Sequence, residues 1–300
     1  YKYRGRKDRK ATFISHNDKA EIIWTAVPAI VLTVLIVYGL QTWSKIMDRS
    51  DIDDAVVIEL YAKQFGWTAR YAGADNQLGA ANVRFIGGLN SLGVISESAY
   101  KKQVSDLDQN IEKAKVKIAS EANAIKRLKD EERLAKLEAL KNRFTSVVDQ
   151  TAPDRLSAAE DDIVVQELHL PVNREVVFRI RSQDVLHSAY MPHFRAQMNA
   201  VPGMINQFAF IPNVTTQEIR LRPEIVEKVR KINKIRFDKS EKLVAEGEFP
   251  LDPYEFDFLL LCNKICGASH YNMQMKIIVE TEEEFNKWID NQLTFKEFVQ

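Results

Sequence analysis

Cysteine is scarce: the 300 residues hold two, Cys262 and Cys266. No Cys-x-x-Cys-His run occurs, so no c-type haem is attached to this chain. An excess of charge of one sign is missing as well. The 42 Lys and Arg balance 42 Asp and Glu, and a net charge of zero gives no sign of a nucleic-acid binder. Glycine and proline are absent from 97–150, so nothing there interrupts a helix.

What the chain does have begins with an uncharged run from Ile22 to Leu40. At about 1.5 Å per residue it just crosses a hydrocarbon core of about 30 Å. Trp24 near one end, and Tyr38 with Trp43 near the other, are placed like interfacial aromatic belts. Pro28 is better tolerated in a membrane helix than in a soluble one. A buried core helix or a signal sequence competes with this reading, but the chain shows neither an initial Met nor a small-residue cleavage site. Lys2, Arg4, Arg6, Lys7, Arg9, Lys10 and Lys19 precede the run; Lys45 and Arg49 follow it, before Asp51, Asp53 and Asp54. Basic flanks stay inside, so 1–20 is expected as a cytoplasmic loop, 21–45 as a transmembrane helix, and the rest outside. The first residue is Tyr, which leaves room for a preceding membrane helix. In an oxidising compartment a disulfide is the default fate of two cysteines.

Beyond the span, Val56–Tyr61, Ile163–Leu170, Glu175–Arg181, Gln207–Ile211, Glu218–Leu221, Phe256–Leu261 and Met275–Glu280 read as strands, punctuated by prolines. Short strands with such turns predict a β-sandwich or Greek-key barrel built from 51–96 and 151–281. Between them the period changes. Val104, Leu107, Ile111, Ala114, Ile118, Ala122 and Ile125, then Leu134, Leu137, Leu140, Phe144 and Val147 or Val148, recur at three or four residues. A single helix of that length would reach about 80 Å, so 97–150 is expected as an inserted hairpin turning near Lys126–Glu132. A charged helix is expected at about 224–246, and a helical tail at 282–300 opened by a Thr281/Glu284 capping box.

The chemistry concentrates in Cys262-Asn263-Lys264-Ile265-Cys266-Gly267-Ala268-Ser269-His270-Tyr271-Asn272-Met273, between two apolar strand segments. Thiolate and thioether are soft donors and imidazole is borderline, a set that suits copper and not magnesium or calcium. One blue-copper ion uses one Cys; two Cys four residues apart suit two ions sharing both sulfurs. Each ion then needs a terminal histidine. His270 is one, and the other comes from elsewhere among His16, His169, His187 and His193. His16 lies before the span, and His169 alternates within a strand as a packed or surface residue. His187, in a loop after a strand, and His193 both remain open on spacing.

Cys-x-x-x-Cys-Gly-x-x-His-x-x-Met, the upstream Asp184-Val185-Leu186-His187-Ser188, and Glu21-Ile22-Ile23-Trp24-Thr25-Ala26-Val27-Pro28 resemble cytochrome c oxidase subunit II. Phe194-Arg195 and Pro202-Gly203 fit the same family, and the resemblance covers about 16–96 and 160–281. It implies a transmembrane α-helix followed by an all-β cupredoxin-like Greek-key barrel carrying a dinuclear copper centre, CuA. His187 and His270 are then terminal ligands, Cys262 and Cys266 bridging thiolates, Met273 one weak axial donor and the Lys264 carbonyl the other. Met275 is the competitor for Met273 and is expected to pack in the following strand. Gln64-Phe65-Gly66-Trp67-Thr68-Ala69-Arg70-Tyr71 resembles the family's Trp-rich segment where electrons enter, with Phe65 replacing its first Trp and Trp67 keeping the second. Core packing is the competing role for Trp67. Glu21 resembles a glutamate at the mouth of a proton pathway, although a carboxylate at a helix end is also simply soluble there. The family's magnesium-binding Glu is replaced by Lys264, and Asn199 and Met204 stand where Asp and Arg are usual, which leaves a magnesium site without its usual side chains.

The resemblance implies partners too: a haem-bearing catalytic subunit and other oxidase subunits, a cytochrome c or docked haem protein as donor, and membrane lipid, with the copper domain in the periplasm of a bacterial inner membrane. Oxygen reduction and proton pumping are then properties of the complex, with oxygen reduced on the catalytic subunit. The alternatives are a copper-carrying assembly factor or mononuclear blue-copper protein, and a structural subunit with a Cys262–Cys266 disulfide.

Overall fold

A computed structural model describes residues 10, 13, 15–47, 55–87 and 90–299. Lys2, Arg4, Arg6, Lys7 and Arg9, and Arg49, Asp51, Asp53 and Asp54, on which the orientation argument leans, lie outside the described residues.

Helix α1 (Asp18–Met47) extends beyond the expected 21–45 at both ends. Asn17 Oδ1 accepts from the Ala20 N–H at 3.1 Å, while the Glu21 carboxylate accepts from the Asn17 N–H at 3.4 Å. This reciprocal pair satisfies donors that the first turn leaves without partners. The Thr33 and Thr42 hydroxyls donate to the carbonyls of Ala29 and Tyr38, at 2.8 and 3.0 Å, so neither needs water. Every residue from Glu21 to Ser44 is exposed, an apolar surface on all sides that suits hydrocarbon surroundings.

The second unit begins with the hairpin β1 (Val56–Lys63) and β2 (Gly66–Tyr71). Then come the helices α2 (Glu97–Ser120), α3 (Ala124–Asp149) and α4 (Pro153–Ser157). Strands β3 (Ile163–Val165), β4 (Leu168–Pro171), β5 (Val176–Ser182), β6 (His187–Met191), β7 (Ala196–Ala200) and β8 (Asn206–Phe210) follow. After the helices α5 (Thr216–Arg220) and α6 (Pro223–Ala245) come β9 (Phe258–Cys262), β10 (Gln274–Glu280), α7 (Glu282–Asp290) and α8 (Phe295–Val299). One sheet runs β3-β2-β1-β5-β8 and the other β4-β10-β9-β6-β7. β1 lies parallel to β5 and β4 parallel to β10, while the remaining pairings are antiparallel.

Ile58, Leu60, Phe178 and Ile180 of the first sheet share one buried cluster with Leu168, Ala189, Met191, Leu260, Ile277 and Val279 of the second. β1 is buried along nearly its whole length because its opposite face is covered as well. There Val57 packs with Ala72 and Leu78, and Tyr61 with Leu92 and Val94. An apolar helix followed by a domain built on two five-stranded sheets is the architecture.

Several expectations need correction. Glu218–Leu221 is not a strand: Thr215 and Glu218 close a capping box that starts α5. Ile163–Leu170 is two strands in different sheets, broken at Gln166 and Glu167. The hairpin turns at 121–123, not at Lys126–Glu132, because Asn123 Oδ1 accepts from the Ile125 and Lys126 N–H groups and begins a new helix. β6 and β7 were not anticipated, and His187 opens β6 rather than lying in a loop.

A buried ionic group ties the first sheet together. Arg70 reaches Glu59 at 2.8 Å and Asp162 at 2.9 Å, and Arg181 also pairs with Glu59. Burial raises the Glu59 carboxyl, but Arg70 and Arg181 outweigh it and hold the group below the usual range. Burial wins at Asp162, whose carboxyl is pushed up to about 7 despite Arg70 and the Gly79 N–H.

Candidate metal centre

β9 ends on Cys262 and β10 starts on Gln274, so the loop between them leaves and returns at one place. The Cys262 N–H donates to the Met273 carbonyl at 3.1 Å and closes the base of that loop. β6 lies beside β9 with Ala189 opposite Cys262, which sets His187 next to the first cysteine. The Asn263 N–H, bonded to the Ser188 carbonyl at 3.2 Å, fastens the loop to β6.

The donors converge. Cys262 and Cys266 are free, with their sulfurs 4.0 Å apart, roughly twice the 2.05 Å of a disulfide. His187 Nδ1 lies 3.8 Å from Cys262 Sγ, and His270 Nδ1 lies 3.6 Å from Cys266 Sγ. Met273 Sδ is 3.8 Å from Cys266 Sγ, and the Lys264 carbonyl oxygen is 3.2 Å from Cys262 Sγ. Each sulfur therefore has its own imidazole and its own weak donor. The ligand atoms of His187, Cys262 and Cys266 all fall within 4.8 Å of one another.

This donor set fits soft or borderline metal ions. His187 and Met273 are buried at 0% and 2% exposure, and Cys266 is buried beside the half-buried Cys262 and His270. Burial, and next the neighbouring Cys262, push the Cys266 thiol up to about 11. A thiolate there needs a cation, and a bound metal supplies it while displacing the proton.

The other nitrogen of His187, Nε2, sits 2.8 Å from Asp184 Oδ1. Asp184 also accepts from the N–H groups of Val185 and Gln64, each at 2.7 Å. Burial opposes its ionisation, yet the Gln64 N–H, His187 and the Val185 N–H hold its carboxyl below the usual range. Such a carboxylate fixes the tautomer and aim of a metal-binding imidazole. Asp184 carried no assigned role in the sequence reading; its place three residues before His187 was the available signal.

The other candidates fall elsewhere. His193 is exposed, its ring edge-on to Phe256 and Phe258 at 5.3 and 5.4 Å. His169 is a packed histidine, stacked on Trp288 and 2.9 Å from Glu280. His16 is exposed beside Ser15. Met275 is buried within β10. Trp67 is buried and meets the His187 ring edge-on at 6.3 Å, whereas Phe65 is 39% exposed at the turn above the cysteine loop. The Lys264 side chain, Asn199 and Met204 are all exposed and bring no carboxylate, so these positions do not fit a magnesium ion.

A helix long and apolar enough to span a membrane, followed by a β-domain in which His187, Cys262 and Cys266 could hold a metal ion, defines the class. The family model described as cytochrome C oxidase subunit II, transmembrane domain, matches residues 1–42. That for the subunit's periplasmic domain matches 144–218, which includes His187 and stops before the cysteine loop. The chain is 23% identical over 297 residues to the alternative cytochrome c oxidase subunit 2 of Bradyrhizobium diazoefficiens, covering 98% of this chain and 71% of the relative. It is 20% identical over 291 residues to cytochrome c oxidase subunit 2 of Cereibacter sphaeroides, covering 97% of this chain and 66% of the relative. With the corresponding subunit of Thermostichus vulcanus, 27% identity over 129 residues covers 43% of this chain and 27% of the relative. Among solved structures, the periplasmic domain of subunit II of cytochrome oxidase (CoxB) of Bradyrhizobium japonicum matches 78% of this chain and 91% of that one, at TM-score 0.33 and 14% identity. Cytochrome c oxidase subunit II is thus the family whose models match two stretches of the chain and to which these relatives belong.

Proposed function

We propose that this subunit is the electron-accepting part of a haem-copper terminal oxidase, carrying a dinuclear CuA centre outside a bacterial inner membrane. It takes single electrons from a cytochrome c or a docked haem protein and passes them to haem on the catalytic subunit, where oxygen is reduced and protons are pumped. The observation that carries this reading is the pairing of two free sulfurs 4.0 Å apart with one imidazole nitrogen beside each.

Cys262 and Cys266 would hold the copper as thiolates and His187 and His270 as imidazoles, with Met273 and the Lys264 carbonyl as weaker donors. When bound, the copper pair supplies one-electron redox chemistry spread over two metals and two sulfurs. The chain's own part is rigidity. Ligands anchored on β6, β9 and the closed base of the 262–273 loop move little, which keeps the reorganisation barrier low. Asp184 holds His187 in its tautomer. The exposed Phe65 is the aromatic through which electrons enter, while the buried Trp67 supports the His187 ring from behind. Glu21 serves the oxidase as a carboxylate near a proton pathway, besides its capping contact with Asn17.

Copper analysis with electron paramagnetic resonance on the full chain in detergent tests the assignment. Two coppers per chain sharing one unpaired electron are expected. One copper, or hyperfine structure from a single nucleus, overturns the dinuclear centre.

A further inference from the structure

We propose that Gln64 is a positioning residue for the metal centre, a clasp joining the loop that leads into His187 to the loop that carries Cys266, with Gly267 as the gap that admits it. This rests on the copper reading above.

Gln64 and Phe65 form the two-residue connection between β1 and β2. The Gln64 N–H donates to Asp184 Oδ2 at 2.7 Å, and Asp184 Oδ1 holds His187 Nε2 at 2.8 Å. The Gln64 side-chain Nε2 donates to the carbonyl of Cys266. One hairpin residue thus reaches two loops that lie 120 and 202 residues away in sequence. An exposed glutamine ordinarily keeps its rotamer freedom and bonds to water. Here it is held at both ends.

Gly267 explains how the turn comes so close. Its φ is +144°, and a Cβ there would lie 2.8 Å from Phe65 Cε1 and 2.9 Å from Gln64 Nε2. Any other residue would press the turn off the cysteine loop. The glycine, the glutamine amide and the aspartate form one continuous strap across the two halves of the donor set. The strap acts on the centre in two ways. It fixes the separation of His187 from Cys266, and it points the positive end of an amide dipole at the backbone of a bridging cysteine. A positive dipole end favours the more electron-rich state of a neighbouring metal centre.

Gln64→Ala, Gln64→Glu and Gly267→Ala in the full chain in detergent test this, in two arms. In the copper-free chain, alkylation of Cys266 by a small neutral reagent, mapped by mass spectrometry, is expected to speed up about tenfold in Gln64→Ala and Gly267→Ala, on the scale of lost outer-shell contacts. In the copper-loaded chain, copper affinity falls about 10- to 100-fold. The reduction potential drops, further for Gln64→Glu than for Gln64→Ala, because a carboxylate replaces a donor. Combining Gln64→Ala with Gly267→Ala adds little beyond either alone, as groups acting through one contact require. Unchanged alkylation and unchanged potential in Gln64→Ala, with only a lower melting temperature, overturn the clasp. If the unchanged chain takes up no copper pair while alkylation still responds, the copper reading falls and the strap between the loops stands.

Discussion

His187 and His193 differ in what their nitrogens meet. The first has a sulfur on one side and Asp184 on the other, while the second presents its ring to Phe256 and Phe258. His187→Ala is therefore expected to abolish the two-nucleus copper spectrum and His193→Ala to leave it intact; the reverse result would reassign the terminal ligand. Arg70 is the residue on which the first sheet's buried charges depend. Arg70→Met leaves Glu59 and Asp162 buried without their shared cation and is expected to cost about 3–5 kcal/mol in denaturant unfolding. Asp162 adds a pH dependence of opposite sign to that of most carboxylates. Its pKa rises from 3.8 to about 7 on folding, so the folded chain keeps a proton that the unfolded chain releases. Its contribution is full below the unfolded value and is lost as pH rises through about 7. The unfolding midpoint of the copper-free chain is expected to fall between about pH 4 and about pH 7, and Asp162→Asn to flatten that fall.

Among the elements, the α2–α3 hairpin has its packed end at the β-domain. Leu107, Phe144 and Val147 join Phe85 and Ile95 in one cluster, with the Phe85 and Phe144 rings 4.6 Å apart, while Val116, Ile125 and Leu128 near the turn are exposed. Phe144→Ala is expected to lower stability by about 3–5 kcal/mol with no change in copper stoichiometry, checked by thermal unfolding alongside metal analysis. The hairpin was legible because its apolar period is helical and uninterrupted, but its turn was not. Asn123 caps a new helix through its side chain, a local bond that periodicity does not register. β7 was hidden for a related reason. Ala196–Ala200 alternates apolar and polar residues along a sheet margin but lacks the Val, Ile and aromatic content that marks a strand. Glu218–Leu221 failed in the other direction, since a capping box outweighed its apolar alternation.

At the scale of the whole chain, the proposed copper centre would link metal uptake to folding. With copper at a thousand times its dissociation constant, the loaded chain is expected to gain about 4 kcal/mol over the copper-free one, seen as a higher melting temperature that a chelator reverses. Both cysteines, His270 and Met273 were legible because a single loop carries them and donor chemistry needs no fold to be read. His187 required the family resemblance, because only the β6–β9 pairing brings it beside Cys262. Gln64 stayed silent, since nothing in a hairpin turn announces a contact 202 residues away. The order of the first sheet carries one more consequence. β2 and β3 are neighbours, with Tyr71 opposite Ile163, so the long excursion between them, hairpin included, departs and returns at adjacent points. Closing a longer or shorter loop there changes its entropy only logarithmically. The exposed turn end of the hairpin is thus an appendage rather than a strut: it can be exchanged, lengthened or trimmed while the strands that aim the proposed copper ligands keep their register.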